Sequence, residues 1–498
     1  MRGGHPTPTS KPAAAAERPT AVVVGGGISG LIAARELASA GSAVTVLEAG
    51  TSWGGCVGSH VVAGLRLDSG AESFATRSTA VADLARELGL AERIVAPHPG
   101  GAWVQLPDGP QELPKTGVLG IPANPWDPEV RRSLGLAGSI RASLDRWLPA
   151  SVGTSSEVTS VSSLVRTRMG KRVLKRLVSP VVGGVHSADP ALLDVDMVAP
   201  GLRAGIRTHG SLAAAVATQR KTAQRPAASG AGAASGPAKA GSAVAGLKGG
   251  MNTLVEALVA DLRERGVQLL SGRHADAVVK TADGWQVTAG ESTFDAGRLV
   301  VALDGPAAVG LLEKSLPELS GLRPAPGPLV SLVTMVVDLP QLDGRPRGTG
   351  ILVAPETPGI RAKALTHATA KWDWLAEQAG PGTHVLRLSY GRREEANAGP
   401  DVLMDDDSLL AAAVEDASAL LTVPVSRADI VDWDVVRWAG ALPFAAVGHK
   451  QRVEQVRRAC SAADRLTVVG GWLAGNGLAA VVADTRRQLA SVREDDSR

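Results

Sequence analysis

Three groups of residues have types and spacings that point to chemistry. The first is Gly25-Gly26-Gly27-Ile28-Ser29-Gly30, between an apolar run at 21–24 and a helix-like run at 31–37. In this G-x-G-x-x-G pattern Gly25 permits a tight turn, Gly27 lets the backbone approach a pyrophosphate, and Gly30 lets helix pack closely on strand. The amides of Ile28 and Ser29 then bring the positive end of the helix to a diphosphate. A second apolar strand at 43–47 ends in Glu48, placed where an acidic side chain grips an adenosine ribose. The second group, Gly470-Gly471-Trp472-Leu473-Ala474-Gly475-Asn476-Gly477, repeats the strand, glycine turn and helix sequence near the other end of the chain. The third is basic: Arg166, Arg168, Lys171, Arg172, Lys175 and Arg176 alternate with apolar residues at helical spacing over 160–178. Such a helix suits a membrane surface or an anionic ligand, or is simply solvated on its basic face. The glycine turns make a dinucleotide enzyme the leading reading, with cofactor and substrate open.

The elements that must position these groups are legible in outline. A strand–turn–helix unit at each end implies one cofactor domain assembled from both termini, with other material inserted. The predicted division is a disordered lead at 1–20, a first cofactor segment at 21–95, and a substrate and helical segment at 96–215. A mobile Ala/Gly-rich insertion follows at 219–246, then a second cofactor segment at 247–310, a substrate domain at 311–455 and a closing cofactor segment at 456–492. Helices are expected over 129–148, 160–178, 409–421 and 478–490. The clearest inserted strands are at 329–337 and 384–390.

Composition narrows the class. At 498 residues the chain is long enough for two or three domains, and a net charge of +3 argues against a nucleic-acid surface. Two cysteines, Cys56 and Cys460, suggest neither a disulfide framework nor a metal site. No apolar run is long enough to span a membrane, and the Pro/Ala-rich start lacks a signal-peptide core. These features place the chain in the cytoplasm, with peripheral membrane contact left open.

Past Glu48, Ala49-Gly50-Thr51-Ser52-Trp53-Gly54-Gly55 resembles the E-x5-G-G continuation of the FAD-dependent amine-oxidase superfamily. With 68–74, 247–254, Gly183-Gly184-Val185-His186-Ser187-Ala188-Asp189-Pro190 and 472–478, the chain resembles the protoporphyrinogen/coproporphyrinogen oxidase family. It is most similar to the bacterial coproporphyrinogen III oxidases of the coproporphyrin-dependent haem pathway. Cys56 stands where that family usually has Arg or Lys, His186 where an aromatic is common, and Phe444 in a stretch where relatives often carry Pro-Gln-Tyr. The resemblance implies an α/β fold: an FAD-binding, Rossmann-like domain of the p-hydroxybenzoate-hydroxylase type with an inserted mixed α/β substrate domain and a helical domain. It implies FAD held by Gly25, Gly27, Ile28, Ser29, Gly30, Glu48 and Ala49, with Gly54, Gly55, Gly70, Ala71, Glu72 and Ser73 on the flavin side. It further implies that Val278 meets the adenine region, and that Gly475, Gly477 and Leu478 line the ribityl and isoalloxazine end.

The implied reaction is a six-electron oxidation of coproporphyrinogen III to coproporphyrin III by three O2, giving three H2O2. No residue is nominated as general base and no metal is expected, because flavin N5 takes the hydride. His186, Asp189, Arg168 and Lys248 are the substrate-pocket candidates, since four propionates call for cationic or amide contacts. A protoporphyrinogen IX oxidase is the alternative. A flavin amine oxidase or carotenoid desaturase is more distant, and a chain whose one tyrosine is Tyr390 fits an aromatic cage poorly. A non-catalytic flavin carrier is the non-enzyme reading. A downstream haem-pathway enzyme as partner, and a monomeric or homodimeric state, stay open.

Overall fold

A computed structural model of the chain describes residues 19–495, apart from 116, 156–159, 225–243, 392, 395–396, 399–403 and 441. At its centre is a five-stranded parallel sheet. Its middle strand, β1 (Thr20–Val24), pairs on one side with β2 (Ala43–Glu48) and on the other with Arg298–Val301. Gln268–Ser271 lies outside β2, and Leu466–Val468 outside Arg298–Val301. Ala21, Val22, Val23 and Val24 are at most 3 % exposed, which is why this strand is continuously apolar instead of alternating: both faces are covered. Helix α1 (Ile28–Ser39) covers one face with Leu31, Ile32, Ala33 and Ala34. Chain direction across the sheet reverses at β1, so the crevice beyond its C-terminal end is the place where such sheets bind ligands.

The inserted material forms a seven-stranded sheet and a helical lobe. The sheet runs Ile430–Ala439, Leu329–Asp338, Thr383–Tyr390, Ala364–His367, Gly350–Val353, Trp103–Leu106, Gly109–Glu112. All neighbours are antiparallel except Gly350–Val353 and Trp103–Leu106. Helix Asp406–Leu421 packs on one face, with Leu409, Leu410, Ala413 and Leu420 in its core. The helical lobe has its own core of Leu134, Leu164, Val165, Val173, Leu202, Ile206 and Val216.

Two sequence expectations change here. The helix expected over 160–178 is broken. Ser160 caps Val161–Met169 by accepting from the Ser163 amide at 3.1 Å, and Gly170 ends it at φ +91°. The chain restarts at Lys171–Val173, passes a π-turn at Leu174–Val178 and continues as Ser179–His186. The basic residues therefore do not form one stripe. The insertion placed at 219–246 is shorter at both ends: 219–224 continues helix Leu212–Gln224, and Val244–Leu247 is a strand between Phe74–Ala75 and Ile94–Val95. Its middle, 225–243, lies outside the described residues, as does 1–18 of the lead.

Candidate functional site

The crevice at the end of β1 opens into a cavity of about 980 Å³ between the parallel sheet, the seven-stranded sheet and the helical lobe. Its floor is the glycine turn. Gly25 takes φ +104° and donates its amide to the Leu47 carbonyl at 2.8 Å. A Cβ on Gly30 would lie 1.8 Å from the Gly25 carbonyl oxygen, so only glycine lets α1 come this close to β1. Gly27 is different: a Cβ there would meet nothing within 4 Å. Helix α1 begins at Gly27 with no side-chain cap and no acidic residue in its first turn. Its first amides are left for a ligand in the cavity that Gly27, Ile28 and Ser29 line. Glu48 accepts from the Gly26 and Gly50 amides, both at 2.7 Å, which fixes its carboxylate beside the turn.

The second wall is built from Gly54–Cys56 and the 68–73 loop. Gly54 donates to the Gly26 carbonyl at 2.9 Å, and Ala71 to the Cys56 carbonyl at 2.9 Å. A Cβ on Gly70 would lie 2.1 Å from that same carbonyl. Glu72 is the electrostatic anchor of the loop. It accepts from Arg387 Nη2 (2.6 Å), Lys371 Nζ (3.0 Å) and Trp372 Nε1 (2.9 Å). Burial alone would raise its carboxyl, but the charges of Lys371 and Arg387, with the Lys371 and Trp372 hydrogen bonds, hold it down to about 2. Arg387 Nη1 also donates to the Asp68 and Gly70 carbonyls at 3.0 and 3.1 Å, tying the loop to the seven-stranded sheet. Asp68 shows the opposite balance. Burial and the Glu72 charge push its carboxyl up to about 7, against Arg387 and the amides of Met251 and Asn252.

The C-terminal turn closes the cradle. Gly475 and Gly477 take φ +99° and +108°, and a Cβ on either would meet nothing within 4 Å. Asn476 Nδ2 donates to the Val185 carbonyl at 3.0 Å, which joins this turn to the helical lobe. Farther out, Leu329, Val330, Leu332, Leu352, Leu442 and Phe444 make a largely apolar wall. Lys363 also lines it; its Nζ donates to Ser187 Oγ and to the Gly391 carbonyl (3.1 Å). His449 Nε2 donates to the Trp472 carbonyl at 2.7 Å, and burial lowers its pKa.

The cavity thus gathers Gly27, Ile28, Ser29, Gly54, Gly55, Gly70, Ala71, Glu72, Ser73, Gly475, Gly477 and Leu478. Gly25 and Gly30 stand behind its floor, Glu48 ends β2 and Ala49 follows it. Val278 is not brought there. It is buried in strand Ala277–Lys280, its carbonyl accepts from Ser315 Oγ at 2.6 Å, and the residue bonded to the Glu48 carbonyl is Arg273 (2.8 Å).

None of the four substrate-pocket candidates lines the cavity. Arg168 is fully buried in the helical lobe, with Nε 2.5 Å from Asp145 Oδ1 and further bonds to the carbonyls of Asp145, Pro149, Val152 and Gly210. His186 is buried and is not among the lining residues, although its neighbours Gly184, Val185 and Ser187 are, and burial takes its pKa down to about 4. Asp189 is exposed and accepts from the Ala191 amide, and Lys248 is exposed with its own amide on the Arg93 carbonyl. Lys363, Lys371 and Arg387 are the Lys and Arg residues at the cavity instead. An arginine inside the apolar strand Thr383–Tyr390 was the one available signal for them. Among the described residues, no group of His, Cys, Asp or Glu could hold a metal, and no helix is long and apolar enough to cross a membrane.

Comparison with known proteins agrees with this geometry. The family described as flavin containing amine oxidoreductase matches residues 28–486. A coproporphyrinogen III oxidase of Mycobacterium leprae is 31% identical over 485 residues, covering 96% of this chain and 98% of the relative. The coproporphyrinogen III oxidase of Bacillus subtilis is 26% identical, covering 89% and 91%. A solved structure from Exiguobacterium, provisionally named a protoporphyrinogen oxidase, has the same fold with a TM-score of 0.76 at 24% identity, covering 96% and 99%.

Proposed function

The chain belongs to the flavin containing amine oxidoreductase family, whose cofactor is FAD, and on that premise we propose that it oxidises coproporphyrinogen III to coproporphyrin III in haem biosynthesis. The overall balance is six electrons and six protons passed to three O2, forming three H2O2. One observation carries the reading. A cradle closed from both ends of the chain opens onto an apolar, cation-bearing wall, in a chain that matches coproporphyrinogen III oxidases over nearly its full length.

The cradle fits FAD. Glycines 27, 475 and 477 leave open space where any side chain would intrude, and the uncapped start of α1 offers amides to a diphosphate. We assign the cofactor domain to 21–95, 247–310 and 456–492, and the substrate and helical parts to 96–215 and 311–455. Gly27, Ile28, Ser29 and Gly30 would take the diphosphate, with Gly25 shaping the turn, and Glu48 and Ala49 the ribose. Gly54, Gly55, the 70–73 loop, Gly475, Gly477 and Leu478 would enclose the flavin end. Bound FAD supplies a hydride acceptor that dioxygen reoxidises.

The remaining work falls to this chain's residues. The Glu72–Arg387–Lys371 network holds the 68–73 loop rigid against the substrate sheet, so cofactor and substrate surfaces keep one spacing. The apolar wall excludes water from the macrocycle. Lys363, beside Ser187, is placed to meet a propionate, whose burial without a partner would be costly. No side chain is assigned as general base, because the pyrrole nitrogens lose their own protons to solvent.

A second reading, protoporphyrinogen IX oxidation, is favoured by one feature: Lys371 and Arg387 are both committed to Glu72, which suits fewer propionates. A side-by-side aerobic assay of the yellow holoprotein with both porphyrinogens, followed by porphyrin fluorescence, decides between them. A faster rate on the four-propionate substrate is expected. An equal or faster rate on the two-propionate substrate would overturn the coproporphyrinogen assignment, and absence of a flavin spectrum would overturn the class.

A further inference from the structure

A second cavity, of about 500 Å³, shares no lining residue with the first. It lies where the broken helices of the lobe meet the hairpin Trp103–Leu106 and Gly109–Glu112. Five cations line it, Arg132, Lys171, Arg172, Lys175 and Arg176, against two carboxylates, Asp108 and Glu356.

The cations are not equivalent. Gly135, at φ +67°, interrupts helix Pro128–Ser143 and leaves two carbonyls for other donors. Arg176 Nε donates to the Ser133 carbonyl (2.5 Å) and Arg172 Nη1 to the Leu134 carbonyl (3.0 Å), so both guanidiniums are held in place at the rim. Arg176 also donates to both oxygens of Asp108 (2.7 and 2.9 Å), and Lys175 meets Glu356 at 2.6 Å. That accounts for both carboxylates. Arg132 interacts with the charge of Glu129, while Lys171 and Arg172 have no ion pair among the described residues, which leaves two positive charges at the hollow without a carboxylate. Beneath them Leu106, Leu134 and Ala354, none more than 3 % exposed, form an apolar floor.

We propose that this cavity is a second ligand site, which takes a phosphate group carried on a small apolar body. Guanidiniums held by backbone carbonyls, beside a further ammonium and guanidinium, match the several oxygens and multiple charge of a phosphate. The hollow is far larger than the roughly 30 Å³ share of one water molecule, and its floor is apolar, so there is room for an organic portion beside the anion.

The test uses the FAD-loaded protein, whose own diphosphate site is filled, and titrates inorganic phosphate, phenyl phosphate and citrate by calorimetry. Wild type is expected to bind phenyl phosphate more tightly than inorganic phosphate, and citrate weakly. The double variant Arg132→Glu, Lys171→Glu should weaken phenyl phosphate at least about tenfold while keeping FAD content and porphyrinogen turnover. Lys171→Arg should retain binding. If the double variant does not retain FAD, Lys171→Gln alone replaces it, with a smaller loss expected. Equal binding of the two phosphates would make the free ion the occupant and overturn the apolar-body part. Citrate binding tighter than either phosphate, no binding of any probe, or unchanged binding in the charge-reversed double variant or in Lys171→Gln would overturn the site.

Discussion

Replacing Gly27 with alanine separates a glycine that serves a ligand from one that serves the fold. Gly27 sits at φ −67° and ψ 174°, a conformation open to every residue, and its Cβ would meet nothing within 4 Å. In the cofactor-free protein, Gly27→Ala should change stability by less than about 1 kcal/mol, because the restricted unfolded chain is offset by alanine's poorer fit at a helix N-cap. With FAD the cost is far larger. The new methyl stands in the open space before the first amides of α1, and keeping a diphosphate off two of them forfeits about 1.5–3 kcal/mol each. The loss of FAD affinity should therefore be about two to four orders of magnitude. Gly30→Ala is the contrast: its Cβ would lie 1.8 Å from the Gly25 carbonyl oxygen, and overpacking against backbone should cost the apoprotein about 3 kcal/mol. The assay is FAD titration of apoprotein by flavin fluorescence, paired with thermal unfolding of the same samples. Wild-type FAD affinity in Gly27→Ala, or an apoprotein melting as low as Gly30→Ala, would refute the reasoning.

Three further outcomes follow from the buried charges. The folded state holds the Asp68 proton up to about pH 7, whereas the unfolded chain releases it near the ordinary carboxyl value, so this group makes stability fall as pH rises through that window and level off above it. Asp68→Asn should remove the slope and be more stable than wild type by about 2 kcal/mol near pH 8, after allowance for partial exposure; urea unfolding curves that stay parallel across that range would contradict this. His186 is kept neutral down to about 4, so its contribution is complete above the ordinary histidine value and is lost as pH falls toward 4. His186→Leu should flatten that acid limb, by about 1.4 kcal/mol per pH unit, in the same measurement. Arg168→Met leaves Asp145 buried without its charge partner and should cost about 3–5 kcal/mol, with the KM for porphyrinogen in the surviving enzyme unchanged. A raised KM at wild-type stability would return Arg168 to the substrate.

What was legible in the sequence was local. The β1–glycine–α1 unit could be read because strand, turn and helix are consecutive, and Glu48 because its spacing from the turn is set by one helix and one strand. The C-terminal turn was legible as a repeat of the same pattern. The charge network was not, because Glu72 finds Arg387 and Lys371 about 300 residues away, and no local pattern encodes which strand of an inserted sheet faces a loop. Gly170 misled for the opposite reason: apolar spacing continues on both sides of it, so the left-handed break that sends Arg168 inward and Lys171 to Arg176 elsewhere has only one glycine as its mark. Val278 does not line the cavity: the backbone bonded to the Glu48 carbonyl is that of Arg273, and the strand that holds Val278 begins after it.

The most direct test of the central claim is anaerobic mixing of the oxidised holoprotein with coproporphyrinogen III, watching the flavin's visible band. Rapid bleaching by the porphyrinogen, little or none by primary amines, and coproporphyrin with H2O2 on admitting air are the predicted result. Bleaching by amines but not by the porphyrinogen would contradict it.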